Sequence, residues 1–282
     1  MNIGFYPGCS MQGSSPEYNE SVQAICSALG ISLIEVSDWN CCGATAAHNL
    51  NRELSLALPA RILAHAAADG LEEVLVPCAA CYNRLKMVQH EIGADRKLQD
   101  SISEILDEPY QGNARILSIL DFLERDVEPL LAEKIMKPLK QKIACYYGCL
   151  LVRPQNILDA KRHEDPQSMD HIMQLLGAEA IDWAFKTECC GAGLSVSKTG
   201  VVAELSGRIL DDAAHRGAKA IIVACPMCHS NLDMRRKAIE QHRNKDFDLP
   251  VMYITQAIGL ALGIDPVKLG LKRHFVPVNL EL

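Results

Sequence analysis

The sequence has no apolar run long enough to cross a bilayer. The longest, Val251 to Ile264, is interrupted by Thr255 and Gln256 and falls short of the roughly 20 residues that a spanning helix needs. Positive charge is not in excess either. The chain has 28 lysines and arginines against 35 acidic residues, a formal net charge of −7, which argues against nucleic acid or an anionic membrane as a partner. Met1-Asn2-Ile3-Gly4-Phe5 has neither the basic n-region nor the apolar core of a secretory signal. No GxGxxG follows a predicted strand, so there is no flavin or nucleotide fingerprint. What remains is a chain of 282 residues, 49% apolar, with interspersed charges. That is enough for one large globular domain or two ordinary ones. The expectation is a cytoplasmic protein.

Cysteine is the residue in surplus. The chain has 12 of them, and in a reducing compartment a patterned set reads as metal-binding or catalytic rather than as a disulfide framework. Ten of the 12 follow one scheme written twice. Tyr6-Pro7-Gly8-Cys9, Cys41-Cys42-Gly43 and Cys78-Ala79-Ala80-Cys81 reappear as Tyr146-Tyr147-Gly148-Cys149, Cys189-Cys190-Gly191 and Cys225-Pro226-Met227-Cys228. The copy extends beyond the cysteines. At one constant offset Ile62-Leu63 falls on Ile209-Leu210, Gly70 on Gly217, Val74 on Ile221, Leu85 on Leu232 and Met87 on Met234, without a gap. The vicinal pairs and the first cysteines need slightly different offsets, so loops alone have changed length. This is a tandem duplication, and an internal repeat fixes an architecture more firmly than local propensity does.

Ile3 to Tyr6 predicts a strand that delivers Cys9 at its end. A helix follows from Ser15 or Pro16, with Val22, Ile25, Cys26 and Leu29 at helical spacing and Gly30 as C-cap. Cys26 lies on its core face and reads as a small buried apolar residue. Ile31 to Val36 predicts the next strand, leading through Asp38-Trp39-Asn40 into the vicinal pair. A helix from about Asn51 to Asp69 stops at Gly70, Val74-Leu75-Val76 is a buried strand ending at Pro77-Cys78, and Cys81 to about Ile92 is a helix. The alternation predicts an α/β fold of two tandem, pseudo-symmetric units with parallel sheets and the cysteines at the strands' C-terminal edges. We place the units at residues 1–140 and 141–282. Asp95 to Gln141, with Ile116, Ile119, Leu120 and Leu123, and Met252 to Leu262 read as helices that pack the halves together. Lys268 to Leu282 reads as an exposed arm for docking on a partner.

Five thiolates per half are one more than either a structural zinc or a cubane cluster takes. Adjacent side chains of an extended segment point apart, so Cys41 and Cys42 would contact separate irons of a larger assembly, or one would bridge two irons. Gly43 and Gly191 fit a backbone that closely approaches a bulky cofactor. An iron–sulfur assembly with more than four thiolates uses all the ligands. The competing readings are a thioredoxin-like redox pair, a vicinal disulfide at Cys41-Cys42 formed under oxidation, and a zinc-stabilised interaction protein. Cys145 reads as a core residue of the strand before Cys149. His48 and His229 follow ligand cysteines and read as surface or supporting histidines, with a hydrogen bond or proton given to a sulfur as the alternative. Arg235-Arg236-Lys237 reads as a solvated helix face.

On these residues the chain resembles the duplicated cysteine-rich (CCG) domain of the heterodisulfide reductase B-subunit family. The resemblance covers nearly the whole chain, including Gln256-Ala257-Ile258-Gly259-Leu260-Ala261-Leu262-Gly263. It implies one non-cubane [4Fe-4S] cluster on Cys9, Cys41, Cys42, Cys78 and Cys81, and a second on Cys149, Cys189, Cys190, Cys225 and Cys228. The two would face each other around a substrate disulfide. The implied activity is that of an oxidoreductase acting on a sulfur group, reducing CoM-S-S-CoB or a similar disulfide by two one-electron transfers, with no flavin or nucleotide in this chain. The implied partners are a ferredoxin-like C subunit, the direct electron donor, and a flavin-containing A subunit, in an electron-bifurcating complex. The alternative is an electron-transfer subunit of a bacterial complex of this type, with no disulfide substrate.

Overall fold

The computed structural model describes residues 1–44, 47–107, 109–158, 160 and 162–278, with backbone alone at 48 and 49. Two parallel sheets of four strands each organise them. The first has the order β2-β1-β3-β4, built from β1 (Asn2–Phe5), β2 (Ser32–Glu35), β3 (Glu73–Val76) and β4 (Arg115–Ser118). The second repeats it as β6-β5-β7-β8, from β5 (Lys142–Tyr146), β6 (Glu179–Ala180), β7 (Ala220–Val223) and β8 (Val251–Tyr253). In each sheet the order reverses between the first strand and the third. Ligands of open α/β sheets sit at such a switch point, outside the strands' C-terminal ends. β7 is buried at all four positions, as an inner parallel strand with both faces covered must be.

The helices between strands follow the expected pattern. Pro16–Leu29 ends at Gly30, whose φ of 72° makes the left-handed cap, and Arg52–Ala68 starts at Asn51, whose side chain accepts from Leu54 N. A short helix that the sequence reading did not foresee, Gly8–Gln12, places Cys9 in a first turn rather than on a strand.

Two stretches expected to be helical each contain a strand. Ile116 and Leu117 lie in β4, opposite Val74 and Leu75. Ser118 then caps a helical turn, exchanging hydrogen bonds with Asp121, so Ile119 and Leu120 are helical and Leu123 opens a π-helical turn. The spacing of Ile116, Ile119, Leu120 and Leu123 imitates one helix because the strand–helix junction falls between the first two of them. In the second half β8 likewise leads directly into the helix Ile254–Ala261.

The expected exposed arm is also corrected in part. Leu269 and His274 are buried, and Arg273 pairs with Glu20 of the first half at 2.8 Å. The arm thus lies across both halves, while Phe275 remains 65% exposed. Residues 279–282 of the arm lie outside the described residues.

One apolar core runs through both halves. At its centre Tyr18 stacks on Tyr253 with ring centroids 4.0 Å apart. The Tyr18 hydroxyl is 3.2 Å from Ala224 O and 3.4 Å from Pro77 O, the residues that precede Cys225 and Cys78. Beside it Ser21 Oγ and Thr255 Oγ1 share a buried hydrogen bond of 2.6 Å. Thr255→Val keeps the shape and removes that bond, so it should destabilise the chain by about 1 kcal/mol. Denaturant unfolding checks this; an unchanged midpoint would show that the bond contributes nothing to joining the halves.

Candidate metal centre

Each half brings its five predicted cysteines to the C-terminal side of its sheet. Cys41 and Cys42 follow β2, Cys78 is the N-cap of the helix Ala79–Ala94, and Cys81 lies in its first turn. Cys149 follows β5, Cys189 and Cys190 precede the turn Ala192–Leu194, and Cys225 caps the helix Pro226–His229 that contains Cys228. The sulfurs pair in the same way in both halves. Cys41 Sγ is 3.8 Å from Cys9 Sγ, and Cys42 Sγ is 3.2 Å from Cys81 Sγ. In the second half Cys189 hydrogen-bonds Cys149, and Cys190 Sγ is 3.6 Å from Cys228 Sγ. In each vicinal pair the first member lies against an outer cysteine and the second against an inner one, and in the first half Cys41 also hydrogen-bonds its neighbour Cys42. Cys9, Cys41 and Cys189 are exposed; Cys42, Cys78, Cys81, Cys190, Cys225 and Cys228 are buried. The innermost members of the two sets, Cys78 and Cys225, hydrogen-bond each other across the halves.

Crowded thiols share their protons. Hydrogen bonds from Cys41 and Cys81 hold Cys42 well below the usual thiol range. Bonds from Cys228 and Cys78, helped by the backbone N–H of Cys228 and Met227, do the same for Cys225. Cys149 lowers Cys189 to about 6. The donating thiols are raised in turn, Cys81 and Cys228 by their bonds to the vicinal cysteines first and by burial after that. Thiolates are the metal-binding form of cysteine, and these hydrogen bonds favour that form at Cys42 in the first set and at Cys189 and Cys225 in the second.

The backbone leaves room for a bulky group on these sulfurs. A Cβ on Gly8 would lie 3.2 Å from Cys81 Sγ, and one on Gly148 would lie 3.0 Å from Cys228 Sγ. A side chain at either position would fill the space in which the sulfurs converge. The donor set thus fits a soft, multiply charged group such as an iron–sulfur cluster. Gly43 and Gly191 also meet a local packing requirement. Both have positive φ, and their missing Cβ atoms face the chain itself, Ala47 and Leu58 in the first half and Val202 and Leu205 in the second. Their N–H groups meet Cys41 Sγ at 3.5 Å and Cys189 Sγ at 3.3 Å.

Two tyrosines gain a role that their spacing alone did not reveal. Tyr6 OH donates to Asn40 O at 2.8 Å and Tyr146 OH to Glu188 O at 2.6 Å. Each anchors the carbonyl just before a vicinal pair. Cys26 and Cys145 are buried away from both sets; burial raises Cys26 to about 12 and Cys145 well above the ordinary thiol value.

His229 points to no sulfur. Its Nε2 lies 2.9 Å from His274 Nδ1 and 3.2 Å from Val251 O, and burial keeps it neutral. It latches the arm. The side chain of His48 lies outside the described residues. Arg236, expected on a solvated face, is buried, and its guanidinium donates to the carbonyls of Leu232, Phe247 and Leu249. Where the helix after the fourth strand of the second sheet is capped by Tyr253, the one after the fourth strand of the first is capped by the smaller Ser118. There a cavity of about 430 Å³ opens between the halves, lined by Tyr82, Ser118, Asp121, Tyr147, Arg162 and His171.

Residues 3–86 and 143–233 match the family model of the cysteine-rich domain, CCG. The chain is 32% identical to the 8-methylmenaquinol:fumarate reductase membrane anchor subunit of Wolinella succinogenes, covering 97% of this chain and 96% of that protein. It is 28% identical to the B subunit of the Ferredoxin/F(420)H(2)-dependent CoB-CoM heterodisulfide reductase of Methanosarcina acetivorans, over 99% of this chain and 95% of the relative. A crystal structure of a hypothetical protein from Helicobacter pylori superposes with a TM-score of 0.81 at 13% identity, covering 99% of this chain and 52% of that one. It shares the fold, and the present chain spans about half its length. With the cysteine-rich domain found twice and relatives matching from end to end, this chain belongs to the duplicated CCG family of iron–sulfur proteins related to the heterodisulfide reductase B subunit.

Proposed function

We propose that this chain is the iron–sulfur catalytic subunit of a heterodisulfide reductase-like complex. Cys9, Cys41, Cys42, Cys78 and Cys81 would hold one non-cubane [4Fe-4S] cluster, and Cys149, Cys189, Cys190, Cys225 and Cys228 the other. The observation that carries this reading is the meeting of two equivalent five-thiol sets at Cys78 and Cys225. When bound, such clusters supply single electrons, so a disulfide placed between the two takes up two electrons and two protons and leaves as two thiols.

The chain's own residues define that place. Tyr6 and Tyr146 fix the loops before the vicinal pairs, and stacked Tyr18 and Tyr253 keep water from one side of the junction. The cavity on the other side starts at Tyr82, next to Cys81, and reaches Tyr147; we place substrate entry there. Among the described residues no helix is long and apolar enough to cross a membrane. As electron donors we propose partner subunits, a ferredoxin-like C subunit and a flavin-containing A subunit of an electron-bifurcating complex; relatives of this chain are named as subunits of heterodisulfide reductases. Electron transfer without a disulfide substrate is the second reading, favoured by the likeness to a fumarate reductase subunit.

Protein purified without oxygen should contain about eight irons and matching acid-labile sulfide per chain. With a reduced viologen as donor it should consume a disulfide, and Cys42→Ser or Cys190→Ser alone should abolish that. Zinc without sulfide would sink the cofactor assignment, and full turnover in either variant would sink two-cluster cleavage. Full iron, no disulfide consumption and intact electron exchange with a partner would establish the second reading. Gly148→Ala should cost about half of the bound iron while leaving the first set loaded, because the new Cβ at positive φ meets Cys228 Sγ. Iron analysis with visible spectroscopy checks it, and full loading would show that the second set has room to spare.

A further inference from the structure

The two thiol sets are electrostatically unequal, and the repeat shows where they differ. The offset that lays Cys81 on Cys228 lays Arg84 on Asn231. Both residues act on the second cysteine of the vicinal pair. Asn231 Nδ2 donates to Cys190 O at 3.0 Å and lies 3.7 Å from Cys190 Sγ. Arg84 stands one turn after Cys81 on the helix Ala79–Ala94. Its Nη2 is tied to Ser55 O at 2.9 Å, its Nε is buried without a partner, and its charge adds slightly to the hydrogen bonds from Cys41 and Cys81 that favour the Cys42 thiolate.

The residue before each vicinal pair differs as well. It is the neutral Asn40 in the first half and Glu188 in the second, which places a carboxylate on the residue next to Cys189; there it slightly opposes the Cys149 hydrogen bond that favours the Cys189 thiolate. The two differences have the same sign. The first set has a cation where the second has an amide, and an amide where the second has an anion.

Adding an electron to a thiolate-bound group makes it more negative, so a nearby cation eases reduction and a nearby anion hinders it. Resting on the reading that each set holds an iron–sulfur cluster, we propose that Arg84 and Glu188 separate the potentials of the two centres. The first-half centre is the better electron acceptor, and the first electron to enter settles there. Arg84 carries more of the separation, because its charge is half-buried and Glu188 lies in screening solvent. Neither residue touches substrate; both act through the cysteines.

The test is a redox titration followed by electron paramagnetic resonance, on chains verified to hold full iron and sulfide. The wild type should show two separate midpoint potentials. Arg84→Asn should lower the higher one and leave the other in place, while Arg84→Lys keeps most of the separation. Glu188→Asn should raise the lower one, and the double variant should bring the two together. Coincident midpoints in the wild type overturn the proposal, as does a fully loaded Arg84→Asn chain with unmoved potentials. Should Arg84→Asn fail to load, Glu188→Asn decides: a fully loaded chain whose lower potential stays put also overturns it. A wild-type chain that binds no iron or sulfide is a different failure, because it removes the cluster assignment itself.

Discussion

Thiolates repel one another, and that repulsion governs this structure. Two unit charges about 4 Å apart repel by about 4 kcal/mol at the effective dielectric of a protein near its surface. Five cysteines in one place therefore cannot all ionise in the bare chain. The sets respond by sharing protons, so Cys42, Cys189 and Cys225 are favoured as thiolates while Cys81, Cys78 and Cys228 keep their protons. A positively charged soft group relieves the repulsion at once. Gly8 and Gly148 leave it space, and the helix that starts at Cys78 turns its N-terminal end toward the sulfurs, the end that favours anions.

The same constraint explains the packing between the halves. Inner cysteines must be shielded from water, so each half covers the other's junction. On one side this is done by aromatic rings, Tyr18 on Tyr253 and His229 on Tyr253, with the arm laid over them through His274 and Gln256. On the other side Ser118 stands where Tyr253 would be, and the shield has an opening. The two ends of the junction are therefore unequal: Tyr18, Tyr253, His229 and the arm close one, and Ser118 stands at the other.

Much of this was legible in the sequence because cysteine spacing and the repeat are discrete signals. Ten sulfurs, the strand–helix alternation and the doubling could be read from residue identity alone. The fourth strands could not. Ile116 to Leu123 has helical spacing only because a three-residue strand end joins a helix at Ser118, and periodicity does not see the junction. The glycines after the vicinal pairs suggested a close approach to a cofactor; that packing against Leu58 and Val202 and a positive φ also require them could not be read from the sequence. Gly8 and Gly148, one residue before a cysteine, are the ones that make room. Arg236 looked solvated because three adjacent basic residues usually are; three backbone carbonyls left open around the last turns of the second half bury it.

A single half would not be a functional unit on physical grounds. Its innermost cysteine, Cys78 or Cys225, is buried by contact with the other half and shares a proton with its counterpart. Alone, that sulfur and the carbonyl of Pro77 or Ala224 before it would face water, and the tyrosine that reaches both carbonyls would lose one partner. The outer cysteines, Cys9, Cys41 and Cys189, keep their exposure in the joined chain. Each set therefore runs from a wet rim to a dry centre, and the two dry centres are one place. That gradient needs both copies. It follows from bringing the C-terminal ends of two parallel sheets together, which is why the sequence repeats the whole strand–helix frame and not the cysteines alone.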